Sequence, residues 1–172
     1  MDVTIRECRS GDAEALSRVG QATFLETFAD VLPATDIFAH CEGEHGLARY
    51  AEWLGKPGYG CWLAEVAATR APVGYLTVAP ADLPIPTTDS DVELKRIYLL
   101  HRFQGTGLGV QLMETAVQAA REAGAKRLLL GVYAENTRAI AFYARNGFAT
   151  AGVRKFQVGA NTYDDLLLAR EL

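Results

Sequence analysis

The sequence predicts an α/β fold: a mixed, mostly antiparallel central sheet of about seven strands with helices on both faces. Three observations predict it. Strand and helix periodicities follow one another as strand, helices, three strands, helix, strand, helix, two strands. Turn residues at 70–72 and 158–161 join neighbouring strands tightly enough to make antiparallel hairpins. Strand–helix–strand over residues 92–134 instead needs a crossover, and so a parallel pair. The 172 residues, 49% hydrophobic and 22% charged, suit a single domain over 1–172. That composition excludes a disordered chain, a collagen and a small disulfide scaffold.

Each element has a local reason. Val3 to Glu7 is the first strand. Ser10 or Asp12 caps a helix reaching about Ala29, with Leu16, Val19, Phe24 and Phe28 as its apolar stripe and Pro33 as its stop. A second helical region covers about Thr35 to Leu54, interrupted near Gly43 and Gly46, and Lys56-Pro57-Gly58 turns the chain. Tyr59–Ala67 and Val73–Ala79 are strands joined through Arg70-Ala71-Pro72. Pro80 to Asp91 is a loop, followed by a strand from Val92 to Leu100.

Gly107 to Ala123 is an amphipathic helix, with Leu108, Leu112, Ala116 and Ala119 at helical spacing and Gly124 as its C-cap. Lys126 to Ala134 is apolar enough for a strand buried on both faces. Asn136 to Asn146 is a short helix closed by Gly147. Strands over about Phe148–Gln157 and Thr162–Arg170 complete the sheet.

Charge and cysteine content narrow the function. A net charge of −4 argues against a nucleic-acid partner. The charge is divided: residues 1–100 carry 8 basic and 15 acidic side chains, residues 101–172 carry 9 and 6. Scatter over a solvated surface explains such a division, and so do two ligands of opposite sign. Cys8, Cys41 and Cys61 form no C-x-x-C pair and suit a reducing cytoplasm. Met1 to Arg6 shows no apolar leader, and no stretch approaches 18 apolar residues, so a cytoplasmic location without a membrane partner is expected.

The strongest chemical signal is Gln104-Gly105-Thr106-Gly107-Leu108-Gly109, between a strand and a helix. Glycines at alternate positions let a ligand approach the backbone. The first N–H groups of the helix, helped by its dipole, then bind anions such as a pyrophosphate. A P-loop is excluded because Val110 follows Gly109, and G-x-G-x-x-G fails at Val110 and Leu112. A tight turn without a ligand is the bland alternative.

Here the sequence resembles the GCN5-related N-acetyltransferases. Their Q/R-x-x-G-x-G/A motif is matched by Gln104, Gly107 and Gly109, and a second motif by Asn136 to Phe148 with its Ala-x-x-Phe-Tyr and Gly-Phe. Within that superfamily, Glu93 to Leu99, Phe103-Gln104, Leu130 to Tyr133, Thr23-Phe24, Glu26 to Phe28 and Asp165-Leu166 are similar to bacterial PaiA-type spermine/spermidine acetyltransferases.

The resemblance implies the family's fold and an acetyl-CoA-dependent N-acetyltransferase. Acetyl-CoA is its co-substrate, no metal takes part, and the acceptor is a small cationic amine, with polyamines among the candidates. It implies that Ile97, Tyr98 and Leu99 line the thioester and pantetheine, with the N–H of Tyr98 or Leu99 on the thioester oxygen. Gln104, Gly105, Thr106, Gly107, Leu108 and Gly109 would bind the pyrophosphate, and Asn136 the pantetheine arm. Tyr143 is the implied general acid. A phenol near pKa 10 and a thiol near 8.5 make full proton transfer uphill by roughly 2 kcal/mol, so a hydrogen bond to the developing thiolate can suffice.

The resemblance also implies Glu93 as the candidate general base, since several members of the superfamily carry a catalytic Glu at this position, 11 residues before Gln104. Its match to an alkyl ammonium near 10.4 is poor, so binding the cation, or a salt bridge near Lys95 or Arg96, are the other readings. His40 and His45, five apart across Gly43, lack the spacing of a helical metal pair. Glu42 and Glu44, with Glu26, Asp30 and Asp36, are expected to shape an entrance that attracts cations, and the first-half helices and the Pro80–Asp91 loop are expected to meet the acceptor. No Cys is placed for an acetyl-enzyme, which implies direct attack in a ternary complex. A protein N-terminus or an amino-acid amine is the rival acceptor, and a non-catalytic CoA-binding regulator the rival class. Homodimers are common among similar proteins.

Overall fold

The computed structural model describes residues 1–172. Seven strands form one sheet: β1 (Val3–Glu7), β2 (Gly60–Val66), β3 (Pro72–Pro80), β4 (Asp91–Leu99), β5 (Arg127–Tyr133), β6 (Ala149–Val158) and β7 (Asn161–Glu171). Their order is β1-β2-β3-β4-β5-β7-β6, and every neighbouring pair is antiparallel except β4 with β5. The helices are α1 (Ala13–Phe28), α2 (Ala34–Gly43), α3 (Leu47–Leu54), α4 (Leu108–Glu122) and α5 (Thr137–Arg145).

Alternation along the strands supplies an apolar surface to both faces. On one face Leu112, Met113, Ala116 and Ala120 of α4 pack with Leu76, Leu128 and Leu130, all essentially inaccessible to solvent. Tyr143 and Phe148 extend this layer to α5. On the other face Leu16 and Val19 of α1 join Tyr50 and Trp53 of α3 over Leu63 and Tyr75. Each leucine, valine or methionine among them withdraws enough apolar surface for roughly 1.5–3 kcal/mol.

Three local expectations change. Asp12 stands at the start of α1 but makes no cap bond, and Ser10 lies in the preceding turn. The Asp12 carboxylate instead takes both terminal nitrogens of Arg6 at 2.8 and 2.9 Å and the Arg9 N–H at 2.7 Å. A charged donor makes the stronger bond and wins the competition. The Pro80–Asp91 loop, expected beside the acceptor, lays Leu83 and Ile85 on Leu129 and Leu167 and takes no part in the large cavity. Asp36, expected at an open entrance, is buried and accepts from Ala160 N–H and the Asn161 amide at the β6–β7 turn.

The feature that positions the site lies between β4 and β5. They pair only over Asp91–Glu93 against Arg127–Leu129 and then part. A bulge in β4 at Lys95, opposite Thr77/Val78, bends the strand just beyond the parting. From there to Leu99 the β5-facing edge of β4 has no strand partner.

Candidate active site

A cavity of about 1120 Å³ occupies this parting. At one end stands the glycine turn. Gly105 and Gly107 have φ of +78° and +88°, and a side-chain carbon built on either would meet no atom within 4 Å. The turn therefore needs glycine for its backbone conformation and leaves open space above it. The N–H groups of Gly105, Thr106, Gly107, Leu108 and Gly109 donate to nothing in the chain. Behind them runs the fifteen-residue α4, whose dipole favours an anion. Gln104, Gly105, Gly107 and Gly109 line the cavity. The side chains of Thr106 and Leu108 do not: Thr106 Oγ1 donates to Phe103 O at 2.6 Å, and Leu108 is in the core. Gln104 Nε2 donates to Leu99 O at 2.9 Å and ties the turn to the end of β4.

Midway lie Ile97, Tyr98 and Leu99, all facing the cavity. Leu100 N–H donates to Val73 O of β3. Backbone groups alternate along a strand, so Tyr98 N–H also points to β3, whereas Ile97 and Leu99 N–H point to the open edge. This corrects the expectation for Tyr98, whose N–H is turned away. Asn136 lines the cavity; its Oδ1 caps α5 by accepting from Ala139 N–H at 3.1 Å, and its Nδ2 donates to nothing in the chain. Tyr143 packs between Phe142 and Phe148 and borders the cavity, and its hydroxyl has no partner in the chain. Burial first, then Tyr98, pushes its pKa well above the ordinary 10, so it stays a protonated donor at neutral pH.

Glu93 is buried at the root of the parting. Its Oε2 accepts from Asp82 N–H at 3.1 Å and lies 3.3 Å from Lys95 Nζ, while Oε1 has no bond within the chain. The salt-bridged reading of Glu93 is therefore met, and one oxygen is still free.

The far end holds residues that periodicity alone did not single out for the site. Phe24, Phe28, His40, Tyr133, Phe156 and Tyr163 line it, as do Arg154 and Asp165. Arg154 of β6 reaches over β7 to β5, where Gly131 has no side chain: a carbon there would stand 2.5 Å from Arg154 Nη2. It binds Asp165 Oδ2 through Nε and Nη2 at 3.1 and 3.0 Å. Burial raises the Asp165 pKa against the pull of Arg154. Burial, with Arg96 second, lowers His40 to about 4, and His45 also lies well below 6.5, so both rings are neutral at pH 7. Of the acidic residues expected at a cation entrance, Glu44 lines the cavity, whereas Glu26 instead accepts from His101 N–H at 2.8 Å, and Glu26, Asp30 and Glu42 do not line it. The signal for the far wall was alternation: Arg154 and Phe156, like Tyr163 and Asp165, share one face of their strands.

The model of the acetyltransferase (GNAT) family matches residues 24–148. The chain belongs to the GNAT acetyltransferase family. An uncharacterised N-acetyltransferase of Mycobacterium bovis is 34% identical over 161 residues, 94% of this chain and 98% of that one. PaiA N-acetyltransferase from Thermoplasma acidophilum, solved in complex with coenzyme A, shares the fold at a TM-score of 0.80, with 18% identity over 100% of both chains. A ribosomal-protein-alanine N-acetyltransferase from Brucella melitensis gives 0.72 at 25% identity, over 98% of this chain and 99% of that one. This GNAT protein is thus an acyltransferase of the N-acetyltransferase type. None of its helices is long and apolar enough to cross a membrane.

Proposed function

We propose that the protein transfers the acetyl group of acetyl-CoA to the amine of a small acceptor, by direct attack in a ternary complex. One observation carries this reading. The free N–H row of Gly105 to Gly109, the open edge of β4 and the unpartnered Tyr143 hydroxyl face one cavity. A pyrophosphate fits the N–H row, and Arg138 and Arg145 on the cavity wall add positive charge for an anionic nucleotide. The coenzyme A bound by the PaiA neighbour supports acetyl-CoA as the co-substrate. The pantetheine arm would follow β4, with Asn136 Nδ2 as a donor.

As the amine nitrogen bonds to the carbonyl carbon, charge grows on the carbonyl oxygen. An N–H on the open edge, that of Leu99 or Ile97, stabilises it. The C–S bond then breaks and the electron pair leaves on sulfur. Tyr143 donates a hydrogen bond to that sulfur and keeps its own proton, in line with its raised pKa. Glu93 Oε1 holds the incoming ammonium and passes its first proton to water before the attack; the second proton leaves the nitrogen as the C–S bond breaks and reaches the CoA sulfur through water. No cysteine lines the cavity, which favours direct attack over a thiol-bound acetyl intermediate. Among small cationic amines an extended polyamine has less support, because Glu44, Glu93 and Asp165 are each already ion-paired.

Thiol release from acetyl-CoA over polyamines, amino acids, simple amines and peptides tests this reading. Turnover with intersecting double-reciprocal lines is expected. Parallel lines would replace direct attack by an acetyl-enzyme, and tight acetyl-CoA binding without turnover on any acceptor would make the protein a CoA-binding regulator.

A further inference from the structure

We infer that the acceptor is a primary monoamine bearing an aromatic ring, an inference that rests on the acetyl-transfer reading above. The far end of the cavity is a belt of rings in mutual contact. Tyr163 meets Tyr133 at 6.0 Å between centroids, Tyr133 meets Phe28 at 6.2 Å, and Phe28 meets Phe24 at 4.7 Å. Phe24 stacks on His40 at 4.4 Å, and His40 meets Phe156 edge-on at 5.9 Å. His40 is neutral at pH 7, so the belt carries no charge of its own. Such a wall is suited to a flat apolar body through burial and edge-to-face contact.

The charges beside the belt are already matched. Glu93 pairs with Lys95, Asp165 with Arg154, and Glu44 with Arg49 and Arg96. A second ammonium entering here would lose water without gaining an uncompensated carboxylate. Two of the ring faces near it are also taken. The guanidinium of Arg154 lies 5.0 Å from the centre of Phe156, and that of Arg96 lies 4.4 Å from Trp53. Those faces already hold a cation. Glu93 Oε1, at the root of the parting, is not bonded within the chain. It suits one ammonium, with the ring belt taking the rest of the molecule, while Asp165, opposite Tyr133 four residues further along β5, keeps Arg154.

The test compares 2-phenylethylamine with butylamine and spermidine, by thiol release from acetyl-CoA and by calorimetric binding to the CoA-loaded protein. At least about tenfold higher kcat/KM for 2-phenylethylamine than for either of the others is expected. Phe156→Ala, on a half-buried position of an edge strand, should weaken 2-phenylethylamine binding about tenfold at unchanged acetyl-CoA affinity; Tyr163→Ala serves if that variant folds poorly. Butylamine equal to 2-phenylethylamine, or spermidine preferred to it, overturns the inference. If no acceptor releases thiol, acetyl transfer fails and calorimetry decides separately. Binding of 2-phenylethylamine that Phe156→Ala weakens then supports the aromatic pocket, and absence of binding overturns it.

Discussion

At the α4 end of the cavity five consecutive residues offer backbone N–H groups, and side chains matter mainly by being absent. At the α2 end six rings and three matched carboxylates arrive from α1, α2, β4, β5, β6 and β7 and from Glu44 beyond α2. The first end is local in sequence and tolerant of what surrounds it. The second exists only once the sheet and helices have assembled. An anion with a fixed shape can be held by the former; the latter decides what else may enter, and can change by one side chain at a time.

Gly107→Val should have the largest effect on this contrast. The positive φ alone makes a β-branched residue strained by about 1–3 kcal/mol, and its methyls would enter open space over the N–H row. Acetyl-CoA affinity should fall more than about 100-fold, measured by calorimetry. Retained affinity would show that the turn is not the anion cradle. Tyr143→Phe should lower kcat by roughly 100-fold with little change in acetyl-CoA affinity, because only a hydroxyl without a partner in the chain is removed.

The two ends should also part in their response to acid. His40 has a folded pKa of about 4 against 6.5 for an ordinary histidine. Above pH 6.5 it is neutral in both states and this contribution to stability is complete. As pH falls from 6.5 towards 4, the unfolded chain binds a proton that the folded one refuses, and stability drops by roughly 3 kcal/mol. His40→Phe keeps the ring and should flatten that part of the denaturation profile. A profile identical to the parent's would remove His40 from the account. The smallest effect is expected from Asn136→Ala, which loses the α5 cap for about 1 kcal/mol of stability, read as a shift in urea midpoint.

Much of the fold was legible because the periodicities of α4, β5 and the two hairpins are strong and local. The break between α2 and α3 was legible too, from Gly43 and Gly46. The glycine turn was readable for the same reason, since its chemistry is backbone chemistry in one short segment. The acceptor wall was not. Phe24 and Phe28 read as a core stripe, and nothing in the chain's order puts Phe156 or Tyr163 beside them. Two acidic residues of the first half misled through composition: Glu26 and Asp36 hold the protein's own N–H groups. Which way an N–H points on β4 depends on its pairing with β3, and that needs the register rather than the residues.

A sheet normally exposes its unpaired edges at its margins, where any passing strand can add to them. Here β1 and β6 are the margins, yet the parting of β4 from β5 creates a third edge in the middle of the molecule. Flanked by α4, α5 and α1, that inner edge can be reached by a thin chain but not by another protein's sheet. Selectivity by width, exercised by the backbone alone, thus precedes any choice made by side chains.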